Sequence, residues 1–137
     1  MRTGESKVNF YIASSFQNKQ HVQTLAAELK RHGFKHTYDW TTNEKAATFD
    51  ELASIGEAEL ESVKTADFLI VLLPGGKGTH IELGIALGRD TPVYLFNEEG
   101  FHNAKEASTF YHTSGVTRVE GSHEQLVKTI LEKQHSY

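Results

Sequence analysis

The sequence predicts a doubly wound α/β fold, in which a parallel sheet of about five strands is covered by helices on both faces. Segments with strand character alternate along the chain with segments of helical periodicity, which is the pattern of strand-helix-strand units. In addition, the segment DFLIVLLP (Asp67 to Pro74) is apolar on both faces, as expected of a central parallel strand between helices. In such a sheet the ligand crevice lies beyond the carboxyl ends of the strands, so the residues that follow each strand are the first candidates for a site.

Length and composition limit the class of protein. At 137 residues the chain is about one domain long, and we expect a single domain over residues 1–137. No apolar stretch approaches the roughly 18 residues of a spanning helix, and the first strand is not preceded by the apolar segment of a secretory signal, so we expect no membrane association and a cytoplasmic location. The net charge of −4 argues against a broad nucleic-acid-binding face. A small molecule is therefore the expected partner.

The first half of the chain is expected to contain two strands and two helices. The strands are Lys7 to Ala13 and His36 to Trp40, and the helices are Gln17 to His32 and Thr48 to Thr65. The pair Ser14-Ser15 is suited to capping the first helix, and Gly33 to ending it. The second helix keeps its apolar period but has an interruption at Gly56.

The second half begins with the central strand and continues the alternation. We expect a helix at Thr79 to Arg89, strands at Thr91 to Phe96 and within GVTRVE (115–120), and a closing helix after Ser122. Between the last two strands, residues 97–115 are polar and aromatic with weak periodicity, which indicates a long loop with one helical turn. Loops of that length are often functional.

The stretch PGGKGTHIE (74–82) forms the turn from the central strand into the next helix. Gly75, Gly76 and Gly78 allow positive φ angles and close backbone approach, so that N–H groups here and at the N-terminus of the helix can hold an anion such as a phosphate. Lys77 adds a positive charge, and the turn through Thr79 is the candidate substrate-binding segment. Neither the P-loop pattern nor GxGxxG is present here, so we expect no triphosphate or dinucleotide cofactor.

Two interpretations of Glu82 remain open from the residues alone. Thr79-His80-Ile81-Glu82 matches a capping box, in which Glu82 would only accept a hydrogen bond from the Thr79 N–H. Alternatively, Glu82 is a nucleophile at the mouth of the site, with the glycines excluding side-chain bulk so that a sugar can reach it.

Four further residues are candidates for the same edge of the sheet. Tyr11, near the end of the first strand, can donate a hydrogen bond to Glu82, although an aromatic residue is also ordinary in a half-buried strand. Ser14 follows the first strand and Asp39 lies at the end of the second, and both are candidates for substrate binding, Asp39 being equally explained as a turn residue. Glu59 is explained either as part of a solvated helix face or as the second carboxylate beside a glycosidic bond, with nucleophile and general acid shared between the two.

Other catalytic classes find no support in the sequence. Eight histidines are scattered without an HExxH motif, and there is no cysteine, so no metal site is expected. A GxSxG elbow for a serine hydrolase is absent as well.

Three segments together resemble a known family: FYIASSF near the start, ELESVKTADFLIVLL, and GGKGTHIELGIALG. In this order and near this spacing they are similar to the nucleoside 2-deoxyribosyltransferase family, which includes the 2'-deoxynucleoside 5'-phosphate N-hydrolases. The resemblance covers roughly Val8 to Phe96, and its most specific part is G-x-x-x-E-[LM]-G-x-A, here Gly78 to Ala86.

The resemblance implies a Rossmann-like α/β sandwich and a reaction at the N-glycosidic bond of a nucleoside or its 5'-monophosphate. It implies that Glu82 is the nucleophile attacking C1' of the sugar and that Tyr11 is its partner from the first strand. Glu59 stands where the family usually has Asp, and residues 97–115 cannot be aligned with the segment through which some members complete a neighbouring site. A homodimer or higher homo-oligomer is implied as well.

A second, local resemblance and two alternatives complete the predictions. Pro74 to Glu82 also matches the PGGxGTxxE signature of the cytokinin-activating phosphoribohydrolases, which cleave the same class of bond. The alternatives are a non-catalytic nucleotide-binding or signalling domain and a Toll/interleukin-receptor-like NAD glycohydrolase, whose flavodoxin-like sheet also carries one catalytic Glu.

Overall fold

The computed structural model describes residues 7–103 and 108–134. In these residues it has one parallel sheet of five strands in the order β2-β1-β3-β4-β5. The strands are β1 (Asn9–Ser14), β2 (Lys35–His36), β3 (Phe68–Leu72), β4 (Val93–Asn97) and β5 (Val116–Glu120). The α-helices are α1 (Lys19–Arg31), α2 (Phe49–Thr65), α3 (Lys77–Gly88) and α4 (His123–Gln134). The predicted doubly wound α/β fold is confirmed.

The helices cover both faces of the sheet. The chain moves from β1 to one side through α1 and then to the other side through α2 and α3, so right-handed crossovers place α1 on one face and α2 and α3 on the other. A hydrogen bond of 3.0 Å between His21 of α1 and His123 of α4 shows that these two helices share a face. The direction of winding changes between β1 and β3, and the carboxyl ends of these two strands therefore form the topological switch point.

The core follows the sequence pattern closely. Every residue of β3 is buried, which confirms the interpretation of this apolar segment as a central strand covered on both faces. In β1 the buried residues are Phe10 to Ala13, and β4 is buried from Val93 to Phe96. Because the strands on either side of the switch point are rigidly packed, side chains that leave their carboxyl ends have fixed positions.

The second strand is much shorter than predicted. β2 contains only Lys35 and His36, and the prediction of strand from Thr37 to Trp40 is wrong. The Asp39 side chain accepts a hydrogen bond from the Thr41 N–H and starts a short 3-10 helix (Trp40–Thr42), so local side-chain bonding replaces strand pairing. Trp40 is buried there and donates from Nε1 to the Ile12 carbonyl at 2.7 Å.

The starts of the first and third helices also differ from the predictions. A 3-10 helix (Phe16–Asn18) precedes α1, and Ser15, its N-cap, makes no capping bond through its side chain, so the predicted capping by the serine pair is wrong. α3 begins at Lys77, two residues before the predicted start. Gly33, with φ of 93°, does end the first helix as predicted.

In α2 the predicted interruption is absent. The helix is continuous through Gly56, and the Thr48 hydroxyl caps it by accepting from the Glu51 N–H at 3.1 Å. Gly56 is exposed there and has no neighbouring atoms that would force a break.

The long loop contains the expected helical turn, a 3-10 helix (Thr109–His112), while residues 104–107 lie outside the described residues. Strand β5 and the closing helix α4 follow it as predicted. Among the helices in the described parts of the chain, none has the length and apolar composition needed to cross a membrane.

Candidate active site

Tyr11 and Glu82 meet at the switch point between β1 and β3. The Tyr11 hydroxyl donates a hydrogen bond of 2.9 Å to Oε2 of Glu82. Tyr11 is fully buried and Glu82 is 9% exposed, so the bond forms inside the protein, between the sheet and α3. The alternation of β1 directs Tyr11 toward the face that α2 and α3 cover, and α3 begins just after β3, which brings Glu82 back over β1.

Burial raises the pKa of Glu82 to about 8. The hydrogen bond from Tyr11 opposes this rise, because it favours the ionised carboxylate, and the negative charge of Glu59 adds to it. The pKa of Tyr11 is also raised, first by burial and then by the charge of Glu82, so the phenol remains a hydrogen-bond donor. Glu82 therefore changes its ionisation near neutral pH, which is a common property of catalytic carboxyl groups.

Glu59 is the second carboxyl group of this cluster. It is half-buried on α2, and burial raises its pKa above the ordinary value. Its negative charge raises the pKa of both Tyr11 and Glu82, so Glu59 lies within electrostatic range of the pair. The structure thus brings together all three residues that the sequence indicated as catalytic.

The helix-cap interpretation of Glu82 is wrong. The N-cap of α3 is Gly76 and not Thr79, and Thr79 lies three residues inside the capped end. The Thr79 hydroxyl accepts a hydrogen bond of 3.2 Å from the Gly76 N–H, so Thr79 performs the role that the capping box assigned to Glu82. The Glu82 carboxylate instead accepts the hydrogen bond from the Tyr11 hydroxyl.

The glycine turn differs in part from the expectation. None of Gly75, Gly76 and Gly78 has a positive φ, so their predicted use for such angles is wrong. Close approach is real at Gly75, where an added Cβ would overlap the buried Thr79 side chain. Gly76 and Gly78 have no atoms near the position of a Cβ, and both are exposed at the start of α3.

Lys77, Ser14 and Asp39 take no part in the Tyr11–Glu82 pair. Lys77 is exposed as the first residue of α3. The Ser14 hydroxyl donates to the Leu72 carbonyl at 2.7 Å and accepts from Asn18 at 2.9 Å. Asp39 is exposed and caps its own 3-10 helix. Ser14 therefore supports the ends of β1 and β3 from the opposite face of the sheet.

Two groups near the glycine turn escaped the sequence analysis. Asn18 donates from Nδ2 to the Pro74 carbonyl at 3.1 Å, and His80 contacts both the Gly76 carbonyl and the Tyr111 hydroxyl. A cavity of about 290 Å³ adjoins the turn next to His80, and its lining includes His80 and Tyr111. His80 was visible in the PGGKGTHIE motif, but its partner lies in the loop whose weak periodicity gave no indication of position.

Among the described residues, no group of three or more His, Cys, Asp or Glu side chains is placed to hold a metal ion. The chemistry available near the switch point is that of one buried and one half-buried carboxyl group, a phenol and a helix N-terminus. Carboxyl pairs of this kind serve as nucleophile and general acid in glycoside cleavage.

The fold and the carboxyl pair at its switch point define a Rossmann-like enzyme of the glycosidic class. The chain belongs to the nucleoside 2-deoxyribosyltransferase family, whose model, described as Nucleoside 2-deoxyribosyltransferase, matches residues 10–124. Enzymes of this family act on the N-glycosidic bond of nucleosides and nucleotides. No curated protein sequence matches the chain significantly.

Solved structures share the fold at low sequence identity. The CMP N-glycosidase BcmB of Clostridium botulinum is 18% identical with a TM-score of 0.65, and the match covers 89% of this chain and 97% of BcmB. The solution structure of BlsM is 17% identical with a TM-score of 0.68, covering 92% of this chain and 93% of BlsM. A conserved protein from Enterococcus faecalis V583 is 19% identical with a TM-score of 0.66, covering 93% of this chain and 99% of that protein.

Proposed function

We propose that this protein cleaves or transfers at the N-glycosidic bond of a (deoxy)nucleoside or its 5'-monophosphate, with Glu82 as the nucleophile of a glycosyl-enzyme intermediate. The observation that carries the proposal is the buried Glu82 carboxyl group, held by the Tyr11 hydroxyl at the switch point. A buried carboxylate with one fixed oxygen has its other oxygen free to attack a sugar carbon in a defined direction.

The proposed reaction has two steps. In the first, Oε1 of Glu82 forms a bond to C1' while the bond between C1' and the base nitrogen breaks, and its electron pair leaves with the base. Glu59, a half-buried carboxyl group, contacts the base or sugar, and the departing base takes up a proton from the solvent. In the second step, water or another base attacks C1', the bond between C1' and Glu82 breaks to return the carboxylate, and the attacking group loses its proton to the solvent.

Charge in the transition state is stabilised by the same residues. The sugar develops oxocarbenium character as the base leaves, and the carboxylates of Glu82 and Glu59 lie beside it. Only the ionised form of Glu82 is a nucleophile, so the active fraction of the enzyme increases as the pH rises toward the pKa of about 8.

The N-terminus of α3 is the proposed contact for the 5' end of the substrate. The N–H groups of the first helical residues, Lys77, Gly78 and Thr79, have no intrahelical partner and are available to an anion or hydroxyl that binds at this end. Gly76 and Gly78 add no side chains that would block the approach, and the Lys77 ammonium is free to reach the same ligand from the surface. BcmB, described as a CMP N-glycosidase, motivates the inclusion of ribonucleoside 5'-monophosphates among the test substrates.

We further propose a cytoplasmic homo-oligomer, with α2 and α3 forming the contact between copies. Phe49 and Leu52 of α2 are 89% and 55% exposed, and Ile81 of α3 is 64% exposed. Apolar side chains of this size on adjacent helices are covered in most assemblies. The double variant Phe49→Glu with Leu52→Glu is expected to dissociate the oligomer in sedimentation experiments, whereas wild-type protein that sediments as a monomer would contradict this part.

Base release from a panel of substrates tests the proposed activity. The panel contains ribo- and 2'-deoxyribonucleosides, their 5'-monophosphates and NAD, and it compares wild type with Glu82→Ala and Glu82→Gln. Glu132→Gln, which removes an exposed carboxylate of α4, is the matched control. Release that both Glu82 variants lose and the control keeps supports the proposal. If the wild type binds a substrate of the panel but releases no base, the result would instead favour a non-catalytic domain. If NAD is the one compound cleaved, with release of nicotinamide, the result would favour an NAD glycohydrolase.

A further inference from the structure

His80 connects the glycine turn to a distant segment of the chain. Its Nδ1 lies 2.8 Å from the Gly76 carbonyl oxygen, and its Nε2 lies 2.7 Å from the hydroxyl of Tyr111. The two rings are stacked, with centroids 5.8 Å apart and an interplanar angle of 26°. Both imidazole nitrogens are therefore engaged, one by the turn and one by the 3-10 helix (Thr109–His112).

The chemistry of these partners assigns the donors. A carbonyl oxygen can only accept, so Nδ1 of His80 carries the proton that is donated to Gly76. In the neutral imidazole Nε2 is then the acceptor, and the Tyr111 hydroxyl donates to it. Tyr111 thus fixes the tautomer of His80 that the Gly76 carbonyl requires.

Tyr111 is itself held in place by its backbone. Its carbonyl accepts a hydrogen bond of 3.0 Å from the Arg118 guanidinium of β5, and its N–H donates to the Ser108 carbonyl at 3.1 Å. Hydrogen bonds therefore run from β5 through Tyr111 and His80 to Gly76. The last strand of the sheet is in this way linked to the N-cap of α3.

Gly76 is held by hydrogen bonds on a side of the turn where no side chain packs against the position of a Cβ. A Cβ at Gly76 or Gly78 would meet no atom within 4 Å, so the turn has no side-chain contacts of its own at these two positions. The Gly76 N–H donates to the Thr79 hydroxyl, and the Gly76 carbonyl accepts from both the backbone N–H and the Nδ1 of His80, at 3.2 and 2.8 Å. Since Gly76 is the N-cap, its orientation sets the direction of the free N–H groups of the first turn of α3.

We propose that His80, held by Tyr111, is a positioning residue that orients the glycine turn for the anionic 5' end of the substrate. This inference rests on the proposed function, in which the N-terminus of α3 binds a phosphate or hydroxyl. His80 and Glu82 project from opposite sides of α3, so His80 acts through the turn and does not touch the reacting atoms. We call the hydrogen bonds from Tyr111 to His80 and from His80 to Gly76 the clamp. The clamp favours the binding of 5'-monophosphates over nucleosides, because the oriented N–H groups matter most for a charged ligand.

Two variants remove the clamp in different ways. Tyr111→Phe removes the hydroxyl that fixes the tautomer and keeps the stacked ring, and His80→Phe removes both side-chain hydrogen bonds. The matched control is Tyr94→Phe, which removes a buried hydroxyl that accepts a hydrogen bond from Gln134 of α4, far from the turn. Thermal unfolding of all three variants measures any general loss of stability.

Phosphate binding is measured first, since it does not require turnover. Inorganic phosphate and ribose 5-phosphate are titrated into the protein while the amide resonances of Gly75, Gly76 and Gly78 are followed by NMR. Binding is expected to weaken roughly three- to tenfold in both clamp variants, the effect of one or two hydrogen bonds, and to stay at the wild-type level in Tyr94→Phe. Unchanged affinity in both clamp variants, an equal loss in Tyr94→Phe, or wild-type amides that phosphate does not move would overturn the inference.

Kinetics then separate this inference from the proposed function. With a 5'-monophosphate the clamp variants are expected to raise KM with little change in kcat, while the constants for the matching nucleoside stay near wild type. A fall in kcat alone, with KM unchanged for both substrates, would contradict a positioning role. Absence of base release in the wild type would refute the proposed function, and the phosphate titration would still decide the role of His80.

Discussion

Tyr11 and Glu82 lie 71 residues apart in the sequence and are joined by a buried hydrogen bond of 2.9 Å. The bond connects the first strand of the sheet with the helix that follows the central strand, so it forms only when the switch point is assembled. Burial makes the charge of Glu82 costly, and the Tyr11 hydroxyl offsets part of this cost. The pair therefore determines both the position and the ionisation of the proposed nucleophile.

Tyr11→Phe should reduce activity and move its pH dependence upward. Without the donated hydrogen bond the pKa of Glu82 rises above about 8, and the carboxylate loses its fixed orientation. We expect kcat/KM to fall about ten- to hundredfold near neutral pH, the usual effect of one hydrogen bond to a charged group. Measured across pH, the acidic limb of the profile should lie at higher pH than in the wild type. A uniform loss with an unshifted limb would contradict this role of Tyr11.

Glu82→Gln should make stability less dependent on pH. The folded pKa of about 8 is above the ordinary value of 4.5, so the folded protein binds the Glu82 proton more tightly than the unfolded chain. The corresponding stability is present in full below about 4.5 and is lost as the pH rises to about 8, by an amount on the order of a few kcal/mol.

The test compares melting temperatures of the wild type and Glu82→Gln from about pH 5 to about pH 9. Glu59 shifts in the same direction and is present in both proteins, so the difference between the two curves belongs to Glu82. The melting temperature of the variant should increase relative to that of the wild type as the pH rises. Curves that stay parallel would show that the pKa of Glu82 is not raised.

Ser14, the last residue of β1, and the adjacent Ser15 are expected to respond differently to replacement by alanine. Ser14→Ala removes hydrogen bonds to the Leu72 carbonyl and to Asn18 and should cost about 1 kcal/mol of unfolding free energy. The Ser15 hydroxyl is buried and has no hydrogen-bond partner among the described residues, so Ser15→Ala should be neutral or stabilising. Urea unfolding of both variants decides the point, and a larger loss in Ser15→Ala than in Ser14→Ala would refute it.

Two glycines of the turn should also respond differently to alanine. In Gly75→Ala the new methyl group overlaps the buried Thr79 side chain, which holds the N-cap, and the overpacking should cost about 1–3 kcal/mol. Gly78→Ala meets open space inside the first turn of α3 and should gain up to about 1 kcal/mol from helix propensity. Chemical unfolding measures both changes. Similar stability of the two variants would show that the turn is not packed as described.

The order of strands and helices could be predicted from the sequence because it follows from the local periodicity of apolar residues. β3 was the clearest case, since a strand that is apolar on both faces has few alternatives. The predicted second strand ends early because the Asp39 side chain bonds the Thr41 N–H and the Trp40 indole bonds the Ile12 carbonyl of β1, in place of strand pairing. The bond from Asp39 to Thr41 is local, whereas the Ile12 carbonyl is a tertiary partner that local propensity does not indicate.

The site was predictable to a similar depth. Tyr11 and Glu82 were indicated by a strand end and a motif, and Glu59 by the family resemblance of its segment; the fold places Tyr11 and Glu82 in contact and Glu59 within electrostatic range of them. The hydrogen bond between His80 and Tyr111 spans 31 residues and ends in a loop without periodicity, so no sequence pattern linked the two. The face of the sheet on which Ser14 and Ser15 lie likewise depended on the residue at which β1 ends. Sequence patterns locate such ends only to within a few residues.

The central claim, that Glu82 is the nucleophile, is tested most directly by trapping the glycosyl-enzyme. A 2'-fluorinated nucleoside 5'-monophosphate slows the second step, because fluorine destabilises the oxocarbenium character of the transition state. Tryptic cleavage after Lys77 and Arg89 gives the peptide 78–89, in which Glu82 is the only carboxylate side chain. Mass spectrometry should find the sugar phosphate on this peptide in the wild type and not in Glu82→Gln. An adduct on a different peptide, or base release that persists in Glu82→Gln, would contradict the account.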